Sequence, residues 1–195
     1  VYGQSLDDST LSGGSVSTAG IFSWNAPATT PAVSDSQTTP YGVTFTPTDT
    51  ANYNTAATTV KLTVTKATPT ITTDPTASAL VYGQSLDDST LSGGSVSTAG
   101  SFSWNAPATT PAVSNSGYSV TFTPTDTDNY NTVTTTVMIT VSKATPTITT
   151  EPVSTGITYG AKLETSTLSG GVGSVDGSFA WDDGDEIPTV NNSGY

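Results

Sequence analysis

The chain has 195 residues and a formal net charge of −12, from 16 acidic residues against four lysines, and it contains no arginine, histidine or cysteine. This negative charge repels nucleic acids and anionic lipids, so neither is expected as a partner. The missing cysteine excludes disulfides and thiolate sites, and the missing histidine removes the usual proton shuttle at neutral pH. No apolar run reaches the ~18 residues of a membrane span, so membrane insertion is not expected.

Internal repetition dominates the sequence. Residues 81–114 repeat residues 1–34 with one change, Ile21 to Ser101, and a third copy begins at Thr158. The first copy carries an insertion, because SDSQTTPYGVTF stands where the second copy has SNSGYSVTF. A unit of about 77 residues suits a small sandwich domain and is too long for a leucine-rich or ankyrin repeat. Adjacent copies favour a tether over an enzyme, because a second spacer adds length whereas a second active site adds little.

The strands of each copy follow from alternation of apolar and polar residues at period two, while no window has helical periodicity. The first aromatic pair in chain order is Phe22 and Trp24, which flank Ser23 and are predicted to point to the same side. The same pattern recurs in the other copies. The sequence therefore predicts three core anchors that bury about 200 Å² each: Trp24, Trp104 and Trp181.

Two further strands are predicted towards the end of each complete copy. Residues 118–122 and 137–141 alternate apolar and polar residues in the second copy. Lys61 in the first copy aligns with Met138 in the second, which predicts that this face is exposed to solvent. The alternating Val, Leu and Ile side chains are expected to form the inner face.

Domain boundaries are predicted where a last strand runs into the first strand of the next copy, near Lys66 and Lys143. Residues 67–143 then form one complete repeat. Residues 1–66 form a repeat that lacks its first strand, and residues 144–195 form one that lacks its last strands. Completion of these partial repeats by a neighbouring chain is disfavoured, because residues 158–195 and 1–41 contain the same elements.

The segments FTPTDTANYNTAATTVKLTVTKA (45–67) and FTPTDTDNYNTVTTTVMITVSKA (122–144) resemble the tandem bacterial Ig-like repeats of large cell-surface adhesins. With YGQSL and LSGG upstream, the chain is also similar to the mostly-β, glycine-rich repeats found beside them. The resemblance covers essentially the whole chain. It implies an all-β fold of tandem Ig-like antiparallel β-sandwich domains in an extended array, secreted and attached to the cell surface.

The segment DTANY (49–53) is similar to the Asp-Thr-Ala-x-Tyr motif of immunoglobulin domains, in which the tyrosine hydroxyl bonds back to the backbone at a corner. The resemblance implies that Tyr53 and Tyr130 are corner tyrosines. It also implies that Asp49 and Asp126 accept hydrogen bonds from nearby N–H groups of the loop.

Two acidic groups are weak candidates for Ca²⁺, which takes six to eight oxygen ligands. One group contains Asp126 and Asp128, although Ala51 replaces Asp128 in the first copy. The other is the DDGDE segment, made of Asp182, Asp183, Asp185 and Glu186. The favoured interpretations are an Asx-rich turn for the first group and a solvated loop for the second. No cofactor is therefore expected, and calcium is the one candidate. The sequence also contains one N-glycosylation sequon at residues 191–193.

Catalysis is not expected. The paired carboxylates Asp7–Asp8 and Asp87–Asp88 are adjacent in sequence, whereas glycosidase chemistry needs two acids on opposite sides of a sugar-sized cleft. The third copy has Glu164 and Thr165 at this place.

The main hypothesis is a structural repeat segment of an extracellular bacterial surface protein, acting as a stalk or filament-forming spacer. Its expected partners are neighbouring repeats and identical chains in a fibre. One alternative is an adhesin repeat that itself binds a glycan or protein, which predicts an exposed aromatic patch shared by the copies. Another is an accessory domain of an extracellular hydrolase. The inward aromatic residues favour the spacer.

Overall fold

The computed structural model describes residues 1–190, so the end of the third repeat, with the sequon at 191–193, lies outside the described residues. The prediction of an all-β chain is confirmed, because the structure consists of short strands in several small sheets. The helical segments among the described residues are single 3₁₀ turns, none of them long and apolar enough to cross a bilayer.

The first repeat contains three strands and two 3₁₀ turns. The strands are β1 (Gly20–Trp24), β2 (Tyr41–Pro47) and β3 (Ala56–Val60), and the turns are Leu6–Asp8 and Val33–Asp35. The strands form an antiparallel sheet in the order β1-β2-β3. Phe22 lies opposite Phe45, with ring centroids 5.0 Å apart. This pairing places the aromatic side chains on one face of the sheet.

The second repeat contains nine strands and the 3₁₀ turn Leu86–Asp88. The strands are β4 (Ile71–Thr73), β5 (Thr76–Ala77), β6 (Leu80–Val81), β7 (Leu91–Ser92), β8 (Ser95–Val96), β9 (Gly100–Trp104), β10 (Tyr118–Pro124), β11 (Val133–Val137) and β12 (Val141–Ser142). Strands β9, β10 and β11 reproduce the antiparallel sheet of the first repeat. Short ladders join β4 to β8 and β5 to β7 as antiparallel pairs, and β6 to β12 as a parallel pair.

The core of the second repeat lies between these ladders and the three-stranded sheet. Its buried members are Leu80, Leu86, Ile139 and Val141, with Trp104 and Tyr118 packed against them. Met138, between two buried residues of the last strand region, is 62% exposed, as the alternation predicts.

The third repeat belongs to a separate compact unit, because the chain divides into Val1–Ser142 and Lys143–Tyr195. Its described strands are β13 (Ile148–Thr150), β14 (Val153–Ser154), β15 (Leu168–Ser169) and β16 (Val172–Gly173), with a 3₁₀ turn at Leu163–Thr165. Antiparallel ladders join β13 to β16 and β14 to β15. The first two repeats share one unit, so the joint near Lys66 lies inside it.

Each tryptophan occupies the same place in its repeat and is partly buried. The indole N–H donates to a backbone carbonyl just after the first 3₁₀ turn: Trp24 to Ser9 at 3.1 Å, Trp104 to Ser89 at 3.2 Å and Trp181 to Ser166 at 3.1 Å. A partly buried indole N–H needs such an acceptor. The bond ties the 3₁₀ segment to the Phe-x-Trp segment in all three copies, where x is Ser in the first two and Ala in the third.

Candidate functional site

The joint between the first two repeats is where side chains of different repeats meet within the unit Val1–Ser142. The second repeat contributes residues 126–131 (DTDNYN), here called the docking loop, which lies between β10 and β11. The first repeat contributes Tyr2, Val33 and Lys66. Local sequence determines how each of these groups is presented.

An aromatic pair forms one side of the joint. The rings of Tyr2 and Tyr130 meet edge to face, with centroids 5.3 Å apart and planes at 82°. The backbone N–H of Tyr2 donates to the carbonyl oxygen of Thr65 at 2.8 Å, which holds Tyr2 beside the end of its own repeat. A T-shaped pair of this kind contributes about 0.5–1.5 kcal/mol beyond the area it buries.

A hydrogen bond from a 3₁₀ turn forms the second contact. The backbone N–H of Val33 donates to Oδ1 of Asn129 at 2.9 Å. Val33 is the first residue of the turn Val33–Asp35, so its N–H has no acceptor within the turn. Asn129 supplies the acceptor from the neighbouring repeat.

Asp35 stabilises the turn that presents Val33. Its carboxylate accepts hydrogen bonds from the N–H of Ala32 at 2.9 Å and from the hydroxyl of Thr39 at 3.0 Å. The Ala32 bond, followed by the Thr39 bond, lowers the pKa of Asp35 below its ordinary value. Asp35 lies in the insertion that distinguishes the first copy. The insertion therefore shapes the first repeat's side of the joint.

The segment that connects the two repeats is held by hydrogen bonds from both residues of the Lys66–Ala67 peptide bond. Nζ of Lys66 donates to the carbonyl oxygen of Thr127 at 2.6 Å. The N–H of Ala67 donates to the carbonyl of Asn129 at 2.9 Å, and its carbonyl accepts from the N–H of Asn131 at 2.8 Å. A linker whose backbone groups pair with the next repeat loses much of its freedom to bend.

The docking loop is also held by its own residues. The carboxylate of Asp126 accepts from the backbone N–H of Asn129 at 3.2 Å and from its amide at 3.0 Å. The first repeat has the matching arrangement, in which Asp49 accepts from the N–H of Asn52 at 3.2 Å and from its amide at 2.8 Å. The hydrogen bond from the side-chain amide of Asn52 lowers the pKa of Asp49. The loop conformation is therefore encoded locally, before any docking.

The two tyrosines of these loops lie in different surroundings. Tyr130 packs against Tyr2, whereas Tyr53 is 51% exposed. The corner role that the resemblance implies for both residues stays a prediction. The contact across the joint was not predicted, although the recurrence of Tyr-Gly and Asp-Thr-x-Asn-Tyr in successive copies was a signal that could have suggested it.

The acidic candidates for Ca²⁺ form two groups, one in the docking loop and one in the third repeat. In the third repeat, Nζ of Lys162 forms an ion pair with Asp185 and lies 3.7 Å from Glu164. Asp185, followed by Glu164, raises the pKa of Lys162. Asp183 accepts from the N–H of Asp185 at 3.1 Å.

The remaining candidates are placed as follows. Asp182, Glu186 and Asp128 are exposed, and Asp126 holds Asn129. Residues 1–190 contain no cluster of three or more His, Cys, Asp or Glu side chains arranged to hold a metal. Calcium binding stays a prediction.

The carboxylate pairs near the start of the first two repeats have a local structural role. Asp8 accepts from the backbone N–H of Ser5 at 2.8 Å, and Asp88 does the same for Ser85 at 2.8 Å. These bonds close the 3₁₀ turns that bury Leu6 and Leu86, each 1% exposed.

We expect the joint to weaken in acid through Asp35. Because the pKa of Asp35 is lowered in the folded chain, its stabilising contribution is present above the ordinary carboxyl value, near pH 4, and is lost as pH falls through the folded value. Asp35→Asn should lower the melting temperature at pH 7, and the difference from the unaltered chain should shrink below pH 4. Thermal unfolding between pH 7 and pH 2 checks this, with the exposed Asp7→Asn as control. A difference that stays constant with pH would contradict the role of Asp35.

No protein-family model, curated protein or solved structure matches this chain.

Proposed function

We propose that this chain is a structural repeat segment of an extracellular bacterial surface protein, in which Ig-like β-sandwich repeats in tandem act as a stalk or spacer. The observation that supports this most is the joint, because the repeats themselves supply its contacts. A flexible linker would set only a maximum reach, whereas a joint with several directional contacts sets an orientation. An ordered orientation at successive joints would make reach grow with the number of repeats.

The charge of the chain is consistent with this role. Because the chain has a net charge of −12 over 195 residues, the repeats repel one another wherever they are not joined. Such repulsion would oppose misassembly between near-identical neighbours, which is a characteristic failure of repeat proteins. The proposal also takes the chain to be non-enzymatic.

Tandem arrays of two, four and six copies of a repeat made of residues 67–80 followed by residues 1–66 test the proposal, because this repeat contains the turn Val33–Asp35 that the joint uses. Small-angle X-ray scattering should give a maximum dimension that rises roughly in proportion to copy number. A glycan array probed with the same proteins tests the adhesin alternative. Compact particles whose size grows slowly with copy number would refute the spacer, and saturable glycan binding would favour the alternative.

The joint itself is tested by a matched pair of variants. Tyr130→Ala removes the ring that packs on Tyr2, whereas Tyr53→Ala removes the equivalent, exposed ring of the first repeat. We expect Tyr130→Ala to destabilise the joint by about 1 kcal/mol and to increase hydrogen exchange in residues 126–131 about fivefold. Tyr53→Ala should leave exchange in that segment unchanged. Equal effects of the two variants would mean that the aromatic pair does not hold the joint.

A further inference from the structure

The first and last extended segments of the second repeat lie side by side. Residues 67–81 follow the joint with the first repeat, and residues 129–142 close the second repeat. A parallel bridge joins Ala67 to Tyr130 near the start of both segments, and the parallel strands β6 and β12 pair near their ends. The two segments therefore run in the same direction across the repeat, so the chain enters and leaves it at opposite ends.

Backbone hydrogen bonds hold the two segments together at the entry end. The N–H of Ala67 donates to the carbonyl of Asn129 at 2.9 Å, and the N–H of Asn131 donates to the carbonyl of Ala67 at 2.8 Å. The side-chain amide of Asn131 also donates to the hydroxyl of Thr68 at 3.2 Å. The first two residues of the entering segment are therefore both bonded to the closing segment.

A second set of hydrogen bonds holds the segments together at the exit end. The N–H of Leu80 donates to the carbonyl of Thr140 at 2.9 Å, and the N–H of Tyr82 donates to the carbonyl of Ser142 at 2.8 Å. The hydroxyl of Ser142 donates to the carbonyl of Leu80 at 3.3 Å. Leu80 and Val141 belong to the buried core, so separation of the two strands also exposes apolar side chains to water.

A side-chain hydrogen bond joins the middle of the two segments. The hydroxyl of Thr135, in β11, donates to Oδ1 of Asp74, between β4 and β5, at 2.5 Å. The contacts between the segments are therefore distributed along their length and are not confined to one end.

The backbone bond nearest the exit recurs in the first repeat. The N–H of Tyr2 donates to the carbonyl of Thr65 at 2.8 Å, as the N–H of Tyr82 does to the carbonyl of Ser142. The acceptor residue differs between the copies, but the bond uses backbone atoms alone. The contact is thus a property of the repeat and does not depend on the side chain at the acceptor.

Tension along the chain would load these contacts in shear. A pull from the first repeat acts on Ala67 towards the start of its segment, whereas a pull from beyond Ser142 acts towards the end of the other segment. Because the segments are parallel, the two pulls oppose each other along the strand axes, and all the bonds between the segments share the load. Bonds that share a load break in one step, whereas bonds pulled from one end break one after another.

We propose that the repeat bears tensile load along the array, and that residues 67–81 and 129–142, here called the load clamp, resist it. This function rests on the proposed spacer role, because a chain is stretched only when it connects two bodies. It goes beyond that role, because a spacer needs only an orientation, whereas load bearing needs slow unfolding under force.

Single-molecule force spectroscopy on the full chain, pulled from two different pairs of residues, tests the proposal. The chain has no cysteine, so attachment points can be introduced at exposed positions. Thr65→Cys with Lys143→Cys loads the clamp in shear, whereas Val81→Cys with Lys143→Cys pulls apart the neighbouring ends of β6 and β12. At the same constant force, the lifetime before unfolding should be at least about tenfold longer in shear, because two or more additional hydrogen bonds must break together. Equal lifetimes, or a longer lifetime in the second geometry, would overturn the proposal.

A matched pair of proline variants, pulled in shear, supplies a second measurement. Tyr82→Pro removes the N–H that bonds to Ser142 across the clamp. The control Val81→Pro removes an N–H that bonds to the side chain of Gln84 at 2.7 Å, on the same side of the clamp. Tyr82→Pro should shorten the lifetime about fivefold more than Val81→Pro does. Equal shortening by the two variants would overturn the clamp.

Failure of the clamp is distinguishable from failure of the spacer role. Elongated tandem arrays in scattering, combined with equal lifetimes in the two pulling geometries, would overturn the clamp and leave the spacer role in place. Compact arrays would overturn the spacer role, and the load-bearing function with it, whatever the lifetimes are.

Discussion

Leu86→Ala is expected to lower the free energy of unfolding of the second repeat by about 2–5 kcal/mol. Leu86 is 1% exposed and packs in one cluster with Leu80, Ile139 and Val141, so truncation leaves a cavity that the short ladders around it cannot easily close. Hydrogen exchange measured by mass spectrometry over residues 80–142 reports the loss segment by segment.

Met138→Ala is the control for this variant. Met138 is 62% exposed, so its truncation should change stability by less than about 0.5 kcal/mol. If Leu86→Ala were equally mild, the cluster around Leu86 would not be the core of the repeat.

Gly100→Ala is expected to destabilise the same repeat by about 1–3 kcal/mol or more, through overpacking. A Cβ atom at Gly100 would collide with the ring of Phe122 and with the backbone carbonyl of Thr123, which lie on the neighbouring strand β10. Because a backbone oxygen cannot move aside as a flexible side chain can, the pairing of β9 with β10 would have to shift.

Near-ultraviolet circular dichroism and thermal unfolding check this expectation. Ser101→Ala, at the next and exposed position, should leave both signals unchanged. A Gly100→Ala chain of unaltered stability would show that the register with Gly100 opposite Pro124 is wrong.

The strands and their inner faces were predictable because a strand has a period of two and one face is buried. Val137, Ile139 and Val141 are each 3–5% exposed, and Met138 between them is exposed, as the alternation predicted. The aligned Lys61 identified this outer face from sequence alone. The Phe-Ser-Trp segments followed from the same rule, with both rings of Phe22 and Trp24 on one side.

The pairing partners were not predictable from alternation. Residues 133–142 form two strands with different partners, because β11 pairs with β10 and β12 pairs in parallel with β6. The N–H of Leu80 donates to the carbonyl of Thr140. Residues 133–142 therefore pass from the ladder with β10 to the ladder with β6. Such a switch depends on where a segment 60 residues away lies, and periodicity carries no information about that distance.

The joint was missed for a related reason. Val33 offers its N–H to Asn129 only because the insertion of the first copy forms a 3₁₀ turn closed by Asp35. Sequence comparison located the insertion but could not show which backbone group it exposes. Likewise, Tyr130 of the docking loop was recognised through the resemblance to the corner tyrosine of immunoglobulin domains, which acts within one repeat, and its contact with Tyr2 of another repeat became visible only in three dimensions.

The central claim is that contacts at the joint hold the first two repeats in one orientation, and a distance measurement between two spin labels tests it most directly. The chain contains no cysteine, so Ser23→Cys and Ser103→Cys can be labelled specifically at exposed, equivalent positions of the two repeats. Pulsed electron paramagnetic resonance should give one narrow distance distribution, which Tyr130→Ala combined with Asn129→Ala broadens. A broad distribution in the chain that carries only the two labels would contradict a fixed joint, and with it the proposed role as a spacer.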